Sequence, residues 1–264
     1  MKILKPEIDL DGFFNEVARG RHRVLFIDYD GTLAPFRVER GKAVPYPGVR
    51  ELLESILTPG LCRLVLVSGR SIEDLLPLIG LDHPPEIWGC HGWERRMPDG
   101  TYSAAELDET ARSGLRSAQA IAQEQGFAEF LETKRACRAL HWRGLDQEYV
   151  TMVRSRIETQ WSKISKEYGL RLLEFDGGIE LHVPGRNKGD AVKTVLDEEG
   201  DGAVAAYCGD DLTDEDAFRA MRGLGLSVLV NVQYHRTEAD LWLEPPDELL
   251  LFLERWLDAC RSET

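Results

Sequence analysis

The sequence predicts an α/β protein, in which a doubly wound, mostly parallel sheet is interrupted by an inserted α+β module. Short apolar runs that end in polar residues lie towards both ends of the chain, and amphipathic helical patterns follow them. Strands and helices that alternate in this way form right-handed βαβ units and a parallel sheet. The middle of the chain differs, because its strand-like stretches are joined by hairpin signals and flanked by longer helices.

The first half of the parallel sheet is predicted from two apolar runs. Residues 23–28 and 63–68 are short, apolar and rich in β-forming residues, as buried parallel strands are. Apolar residues recur at helical spacing over residues 47–57, which predicts a helix between the two strands. Ser71 is a suitable N-cap for a second helix at residues 72–79.

The stretch from residue 93 to residue 184 has a different order of elements. A turn is predicted at residues 97–100, where the sequence reads Met-Pro-Asp-Gly. Helices are predicted at residues 107–125 and 147–168, and strands at residues 129–133, 136–143, 171–175 and 179–183. We interpret this stretch as a small α+β module inserted into the parallel domain.

The alternation of strands and helices returns after residue 184. Helices are predicted at residues 188–198, 215–221 and 249–260, and strands at residues 203–208 and 226–230. Polar residues follow the strands on both sides of the insertion. Sheets of this kind bind ligands at the carboxyl ends of their strands, so the functional residues are expected there.

Composition limits the partners of the protein. The formal net charge is −14, which should repel nucleic acids and anionic membranes. No apolar run reaches the roughly 20 residues of a membrane span, and residues 1–20 lack the apolar core of a signal peptide. The five cysteines are scattered, which favours reduced structural thiols and a cytoplasmic protein over a nucleophilic cysteine. The oligomeric state stays open, with a monomer among the arrangements allowed.

Two carboxylates, Asp28 and Asp30, follow the first predicted strand. A turn after Asp28 would bring both into one cavity at the edge of the sheet. Paired carboxylates near a phosphate repel it unless a cation lies between them, and oxygen ligands suit Mg²⁺. A carboxylate can attack phosphorus, and a second carboxyl can protonate the leaving oxygen and then activate water. The alternative is an Asx turn, which Asp and Gly also favour.

Two further positions suit a bound phosphate. Ser68, Gly69 and Arg70 stand where the second strand meets a helix, and a hydroxyl with backbone N–H groups there can bind phosphate oxygens. Lys188 begins a helix and can neutralise the charge of a carboxylate that meets a phosphate. The alternatives are a helix cap for the first and a solvated surface lysine for the second.

An acidic segment follows the strand at residues 203–208. Four Asp and one Glu occupy the seven positions 210–216. Like charges at this density favour a bridging divalent metal. An acidic helix N-terminus explains part of the segment, Asp214 included, but it does not explain Asp210 at the end of the strand. Asp210 is therefore the predicted metal ligand.

Four features of the sequence, in chain order, resemble the four motifs of the haloacid dehalogenase-like phosphatases. They are Asp28-Tyr-Asp-Gly-Thr32, Ser68, Lys188 and Gly209-Asp-Asp-x-x-Asp214. The resemblance implies a Rossmann-like core at residues 1–92 and 186–264 with an α+β cap at residues 93–185. It also implies that Asp28 is the nucleophile and Asp30 the acid and base. Ser68 and Lys188 would hold the phosphate.

The same resemblance implies a Mg²⁺ ion. Its ligands would be Asp28, Asp210 and the backbone carbonyl of Asp30. Asp214 would orient the metal shell or Lys188. Asp211 would support the site, and it is also a possible substitute for Asp210 as a ligand.

Finer features resemble the trehalose-6-phosphate phosphatases over nearly the whole chain. The matching stretches are residues 28–35, 67–70, 89–94, 131–134, 139–143, 178–181, 187–189 and 209–215. The resemblance implies hydrolysis of a sugar phosphate, with sugar hydroxyls bound by cap residues Glu132, Lys134, His141, Arg143 and Glu180. We also expect substrate contacts from Gly69, Arg70 and His91. His141 and Arg143 have a plainer alternative, the polar face of a strand that also carries Ala139.

Two departures from the family pattern bear on the substrate. Cys90 stands where the family usually has Asn, and Leu181-His182-Val183 follows Glu180 where a basic residue and Pro are usual. One alternative is therefore a phosphatase for another small sugar phosphate, such as a glucosylglycerol, mannosylglycerate or amino-sugar phosphate. The other is a non-catalytic regulatory module of a sugar-phosphate synthase, although the expected catalytic Asp residues are present.

Overall fold

A computed structural model describes residues 1–175 and 177–262. The strands, in chain order, are β1 (Lys2–Ile3), β2 (Arg23–Ile27), β3 (Arg63–Val67), β4 (Glu86–Gly89), β5 (Glu94–Arg96), β6 (Tyr102–Ala104), β7 (Leu131–Thr133), β8 (Cys137–His141), β9 (Arg171–Phe175), β10 (Gly178–His182), β11 (Val204–Gly209), β12 (Gly225–Val230) and β13 (Leu241–Leu243). The helices are α1 (Leu10–Arg19), α2 (Val49–Ile56), α3 (Ile72–Ile79), α4 (Glu109–Glu124), α5 (Gln147–Tyr168), α6 (Lys188–Glu199), α7 (Glu215–Met221) and α8 (Asp247–Arg261). None of these helices is long and apolar enough to cross a membrane.

The chain divides into two compact units. The first comprises Met1–Ser103 and the chain from Asn187 onward, and the second comprises Ala104–Arg186. In the described residues, one sheet has the strand order β1-β13-β12-β11-β2-β3-β4-β5-β6, and another has the order β7-β8-β10-β9. Strands β13 to β4 of the larger sheet run parallel, whereas β1 and β5 are antiparallel to their neighbours. The predicted α/β class is confirmed.

The register of the larger sheet brings the ends of its central strands to one level. Cys208 of β11 is paired with Ile27 of β2, and Ile27 is paired with Leu66 of β3. On the other side of β11, Cys208 is paired with Val228 of β12. The residues that follow these four strands therefore lie along one edge of the sheet, which is the edge where parallel α/β sheets bind ligands.

Both faces of this sheet are covered by helices. Leu25 and Ile27 of β2 point into a core that also contains buried residues of α1, α2, α3 and α8. Val24 and Phe26 point the other way, into a core with buried residues of α6 and α7. Because successive side chains of a strand alternate between faces, a strand covered on both sides is apolar throughout.

The second unit has an antiparallel sheet and two packed helices. Trp161 of α5 donates a hydrogen bond from Nε1 to the carbonyl of Ala118 in α4, at 3.1 Å. The register pairs Ala139 of β8 with Glu132 of β7 and with Glu180 of β10. Residues paired across antiparallel strands lie on the same face, so Glu132 and Glu180 share one face of this sheet.

Candidate active site

Four polar residues that are almost completely buried mark the carboxyl edge of the parallel strands. Asp28 follows β2, Ser68 follows β3, Asp210 follows β11, and Lys188 begins α6. Each is at most 3% exposed. Polar side chains are buried at this depth only when they are paired or bind a ligand, so this edge is the candidate site.

Lys188 lies between two carboxylates. Its Nζ is 3.0 Å from Oδ1 of Asp28 and 2.8 Å from Oδ1 of Asp214. The hydroxyl of Tyr207, inside β11, donates to the same Asp214 oxygen at 2.5 Å. Burial lowers the pKa of Lys188, but the two acidic partners outweigh it and raise that pKa well above its ordinary value. Lys188 is therefore held as a cation directly beside Asp28.

The other oxygen of Asp214 organises the loop after β11. Its Oδ2 accepts backbone N–H groups from Asp210 at 3.1 Å and from Asp211 at 3.2 Å. With Lys188 and Tyr207, the Asp214 carboxylate thus accepts hydrogen bonds from four groups. Few lone pairs remain for any other ligand.

Carboxylate oxygens of Asp28, Asp210 and Asp214 lie within 4.8 Å of one another. Burial raises the pKa of Asp28 to about 8; Lys188 opposes this shift, and the neighbouring carboxylates add to it. Burial, together with the charge of Asp28, also raises the pKa of Asp210 well above its ordinary value. An all-oxygen cluster with this excess of negative charge could hold a hard divalent cation.

Gly31 allows the loop after β2 to approach Asp210. Its φ is +84°, and a Cβ at this position would lie 2.2 Å from Oδ2 of Asp210. Any other residue would displace the carboxylate and would also be strained in this conformation.

Asp30 and Arg70 form a forked ion pair. Nε and Nη2 of Arg70 donate to the two carboxylate oxygens of Asp30, each at 2.6 Å. The side chain of Arg70 is 5% exposed and that of Asp30 is 26% exposed. The sequence predicts that Arg70 contacts the substrate. In the structure, its guanidinium contacts the carboxylate of Asp30.

Gly69 and His91 lie next to Ser68. The backbone N–H of His91 donates to the carbonyl of Ser68 at 3.0 Å. The imidazole ring covers Gly69, since a Cβ there would be 2.6 Å from Cε1 of His91. Cys90 and His91 have φ values of +50° and +56°, a conformation that non-glycine residues rarely adopt. This turn directs His91 towards the strand end that carries Ser68.

Asp211 is held by its own turn. Its Oδ1 accepts hydrogen bonds from the backbone N–H of Thr213 at 2.8 Å and from the hydroxyl of Thr213 at 2.6 Å. Burial acts to raise the pKa of Asp211, but Lys188 and the Thr213 hydrogen bonds outweigh it, and the pKa is lowered. One of its oxygens is therefore already engaged.

In the second unit, Glu132, Lys134 and His141 come together. Oε2 of Glu132 is 3.2 Å from Nζ of Lys134 and 2.9 Å from Nε2 of His141. Glu180 lies on the same sheet face. Arg143 lies beyond the end of β8, next to Gly177.

Two residues of the site, Asn231 and Tyr207, were not predicted from the sequence. Nδ2 of Asn231 donates to the backbone carbonyl of Asp210 at 3.1 Å. A polar residue directly after the predicted strand 226–230 was the signal for Asn231, because the other site residues also follow strands. Tyr207 had no such signal, since an aromatic residue inside a buried strand predicts core packing.

Comparisons with known proteins identify relatives over most of the chain. Residues 26–241 match the family model described as trehalose-phosphatase. A trehalose-phosphate phosphatase of Mycobacterium leprae is 30% identical over 89% of the chain and 57% of its own length. Trehalose-phosphate phosphatase B of Arabidopsis thaliana is 28% identical over 93% of the chain and 70% of its own length. A crystal structure described as a trehalose-6-phosphate phosphatase related protein superposes with a TM-score of 0.69, at 26% identity, over 88% of this chain and 95% of that one.

Proposed function

The chain belongs to the trehalose-phosphatase family of haloacid dehalogenase-like proteins, and from that premise we propose that it hydrolyses trehalose 6-phosphate to trehalose and phosphate. The observation that carries the proposal is the position of Asp28, a buried carboxylate at the carboxyl edge of the sheet with Lys188 Nζ 3.0 Å away. A nucleophilic carboxylate needs such a cation, because it must meet an anionic phosphate.

In the first step, Asp28 attacks phosphorus. Lys188 contacts Oδ1 of Asp28, and a carboxylate oxygen of Asp28 forms the new O–P bond. The bond between phosphorus and the sugar oxygen breaks, and Asp30 gives its proton to that oxygen. The products of this step are trehalose and an aspartyl phosphate on Asp28. Ser68 and Lys188 hold the phosphoryl oxygens during the transfer.

In the second step, water releases the phosphate. Asp30, now ionised, removes a proton from a water molecule, and the resulting oxygen attacks phosphorus. The O–P bond to Asp28 breaks, which restores the carboxylate and frees inorganic phosphate. One residue thus serves as acid in the first step and as base in the second.

The residues proposed to hold Mg²⁺ are Asp28, Asp210 and the backbone carbonyl of Asp30. When bound, Mg²⁺ would neutralise charge on the carboxylates and on the phosphoryl group. The two side chains of this set support the assignment, since the carboxyl groups of Asp28 and Asp210 are buried and have raised pKa values. Asp214 is proposed to hold the loop and Lys188, because four donors already engage its carboxylate. Asp211 is engaged by Thr213, which favours Asp210 over it as the ligand.

We assign recognition of the sugar to Glu132, Lys134, His141, Arg143 and Glu180. The contacts of Glu132 with Lys134 and His141 support the assignment, since they hold an ammonium group, an imidazole ring and a carboxylate close together, and each of these can form hydrogen bonds with sugar hydroxyls. Gly69 and His91, beside Ser68, are proposed to contact the phosphate end of the substrate.

A panel of substrates tests the proposal. Phosphate release should be fastest with trehalose 6-phosphate, compared with phosphates of glucosylglycerol, mannosylglycerate and amino sugars. Release should stop in excess chelator and return with Mg²⁺. Asp28→Asn should abolish turnover while circular dichroism shows an unchanged fold, because an amide cannot attack phosphorus. Faster hydrolysis of another sugar phosphate would change the substrate, and activity in folded Asp28→Asn would overturn the mechanism.

A further inference from the structure

We propose that Arg70 is a positioning residue for Asp30, rather than a ligand of the substrate phosphate. The inference rests on the proposed function, in which Asp30 is the acid and base. The geometry that carries it is the fork of Arg70, with one nitrogen on each carboxylate oxygen of Asp30 at 2.6 Å.

Arg70 is itself fixed at several points. Its backbone N–H donates to Oγ of Ser68 at 3.1 Å, and its carbonyl accepts from the N–H of Cys90 at 2.7 Å. Its guanidinium lies 5.8 Å from the centre of the Tyr29 ring. Tyr29 is in turn anchored, because its hydroxyl donates to the carbonyl of Ala43 at 2.7 Å. A rigid, buried guanidinium is thus presented to Asp30.

A forked pair restricts a carboxylate more than a single contact does. The two parallel N–H···O bonds fix both the position and the plane of the Asp30 carboxyl group. Each oxygen keeps a further lone pair, so the carboxyl can still exchange a proton with a substrate oxygen or a water. The side chains proposed to hold the metal are those of Asp28 and Asp210, which lie in one carboxylate cluster, whereas both carboxylate oxygens of Asp30 are bound by Arg70. This separation suits a proton-transfer group better than a metal ligand.

The leaving group distinguishes positioning of Asp30 from phosphate binding. A sugar alkoxide must be protonated as it leaves, whereas 4-nitrophenolate leaves without a proton. The value of kcat/KM covers steps up to the transfer of the phosphoryl group to Asp28. Loss of a positioned acid therefore lowers kcat/KM for trehalose 6-phosphate and affects 4-nitrophenyl phosphate much less. Loss of a phosphate ligand lowers both values alike.

The experiment compares Arg70→Ala, Asp30→Ala and the double variant on these two substrates. We expect Arg70→Ala to lower kcat/KM for trehalose 6-phosphate by roughly 10–100-fold, part of what general acid catalysis contributes. In the Asp30→Ala background, Arg70→Ala should cause no further loss, because it acts through Asp30. Inhibition by inorganic phosphate should be nearly unchanged. Equal losses on both substrates, additive effects, or weaker inhibition by phosphate would show that Arg70 binds the phosphate, and would overturn the inference.

Arg70→Lys keeps the experiment decisive if Arg70→Ala does not fold. Lysine keeps the charge but cannot form the fork, so we expect a smaller loss, still confined mainly to trehalose 6-phosphate. Equal activity of Arg70→Lys and the parent on the sugar phosphate would contradict the need for a fork. Failure of the proposed function would look different. If Asp30 is not the acid and base, Asp30→Ala alone would lower kcat/KM for both substrates equally, or for neither, whatever the Arg70 variants did.

Discussion

Lys188 and the carboxylates around it show how single residues meet opposing demands at this site. Lys188 neutralises part of the charge of Asp28 and Asp214, but Asp210 and Asp211 add two more carboxylates nearby. Burial and the neighbouring carboxylates outweigh Lys188 and raise the pKa of Asp28 to about 8, which favours the neutral acid. Such repulsion opposes folding and is retained where function needs it. A bound cation would relieve it.

Cys90 is strained, because its backbone has a left-handed conformation with φ of +50°, which residues with a Cβ rarely adopt. Asn tolerates this conformation better than other residues with a Cβ, apart from Asp and His. We predict that Cys90→Asn raises the free energy of unfolding by about 0.5–1 kcal/mol, since part of the strain is relieved. Urea unfolding followed by circular dichroism measures the change.

Cys90→Ser is the matched control, because Ser is close in size to Cys and has no comparable preference for this conformation. We expect no gain from it. Cys90 is 3% exposed, so a polar side chain there also has to find hydrogen bonds. If Cys90→Asn is no more stable than Cys90→Ser, relief of the backbone strain does not stabilise the protein at this position.

At the scale of elements, Asn231 joins the ends of three neighbouring strands. It follows β12, its Nδ2 donates to the carbonyl of Asp210 after β11, and its backbone N–H donates to the carbonyl of Leu243 in β13 at 3.0 Å. Its carbonyl accepts from Nε1 of Trp242 at 2.7 Å. The loop that carries Asp210 is therefore held from two sides, by Asp214 and by Asn231.

We predict that Asn231→Ala weakens the binding of Mg²⁺ by about 10-fold or more, as is typical when a group that orients a metal ligand is removed. Isothermal titration of Mg²⁺ measures the affinity directly. Phosphate release at saturating Mg²⁺ should recover most of the parent rate. Gln233→Ala is the control, since the exposed Gln233 contacts the Asn231 side chain through its backbone N–H. Equal Mg²⁺ affinity in both variants would mean that Asp214 alone fixes the loop.

The sequence predicts the elements that carry the site, because their signals are local. Strands β2, β3, β11 and β12 are apolar runs that end in polar residues, and α5 lies where its helical pattern predicts it. Strand β4 was not predicted, since four residues after two prolines give little periodic signal. The pairing of Arg70 with Asp30 was not predicted either. These residues are 40 positions apart, and only the register of β2 and β3 brings them together.

The net charge of the whole molecule disfavours an anionic substrate, whereas the proposed function requires the site to bind one. A net charge of −14 disfavours the approach of a phosphate ester at long range. Beyond a Debye length of about 8 Å at physiological salt, this repulsion is largely screened. We therefore expect the affinity to come from local groups, which in the proposed function are Lys188 and Ser68 in the first unit and the cluster around Glu132 in the second. The two units supply separate parts of the proposed function, chemistry and sugar recognition.

The division between chemistry and sugar recognition can be measured, because a small aryl phosphate contains no sugar to be recognised. We predict that Lys134→Ala lowers kcat/KM for trehalose 6-phosphate by roughly 10–200-fold, or about 1–3 kcal/mol of transition-state binding. The value for 4-nitrophenyl phosphate should fall much less, so the ratio of the two values is the measurement. Arg154→Ala is the control within the same unit, since it removes an exposed ion pair with Glu174 at 2.6 Å. Its ratio should stay at the parent value, because exposed pairs contribute little. If the Lys134→Ala ratio also stays there, Lys134 is part of the structure of its unit, and specificity for trehalose 6-phosphate has to come from other residues.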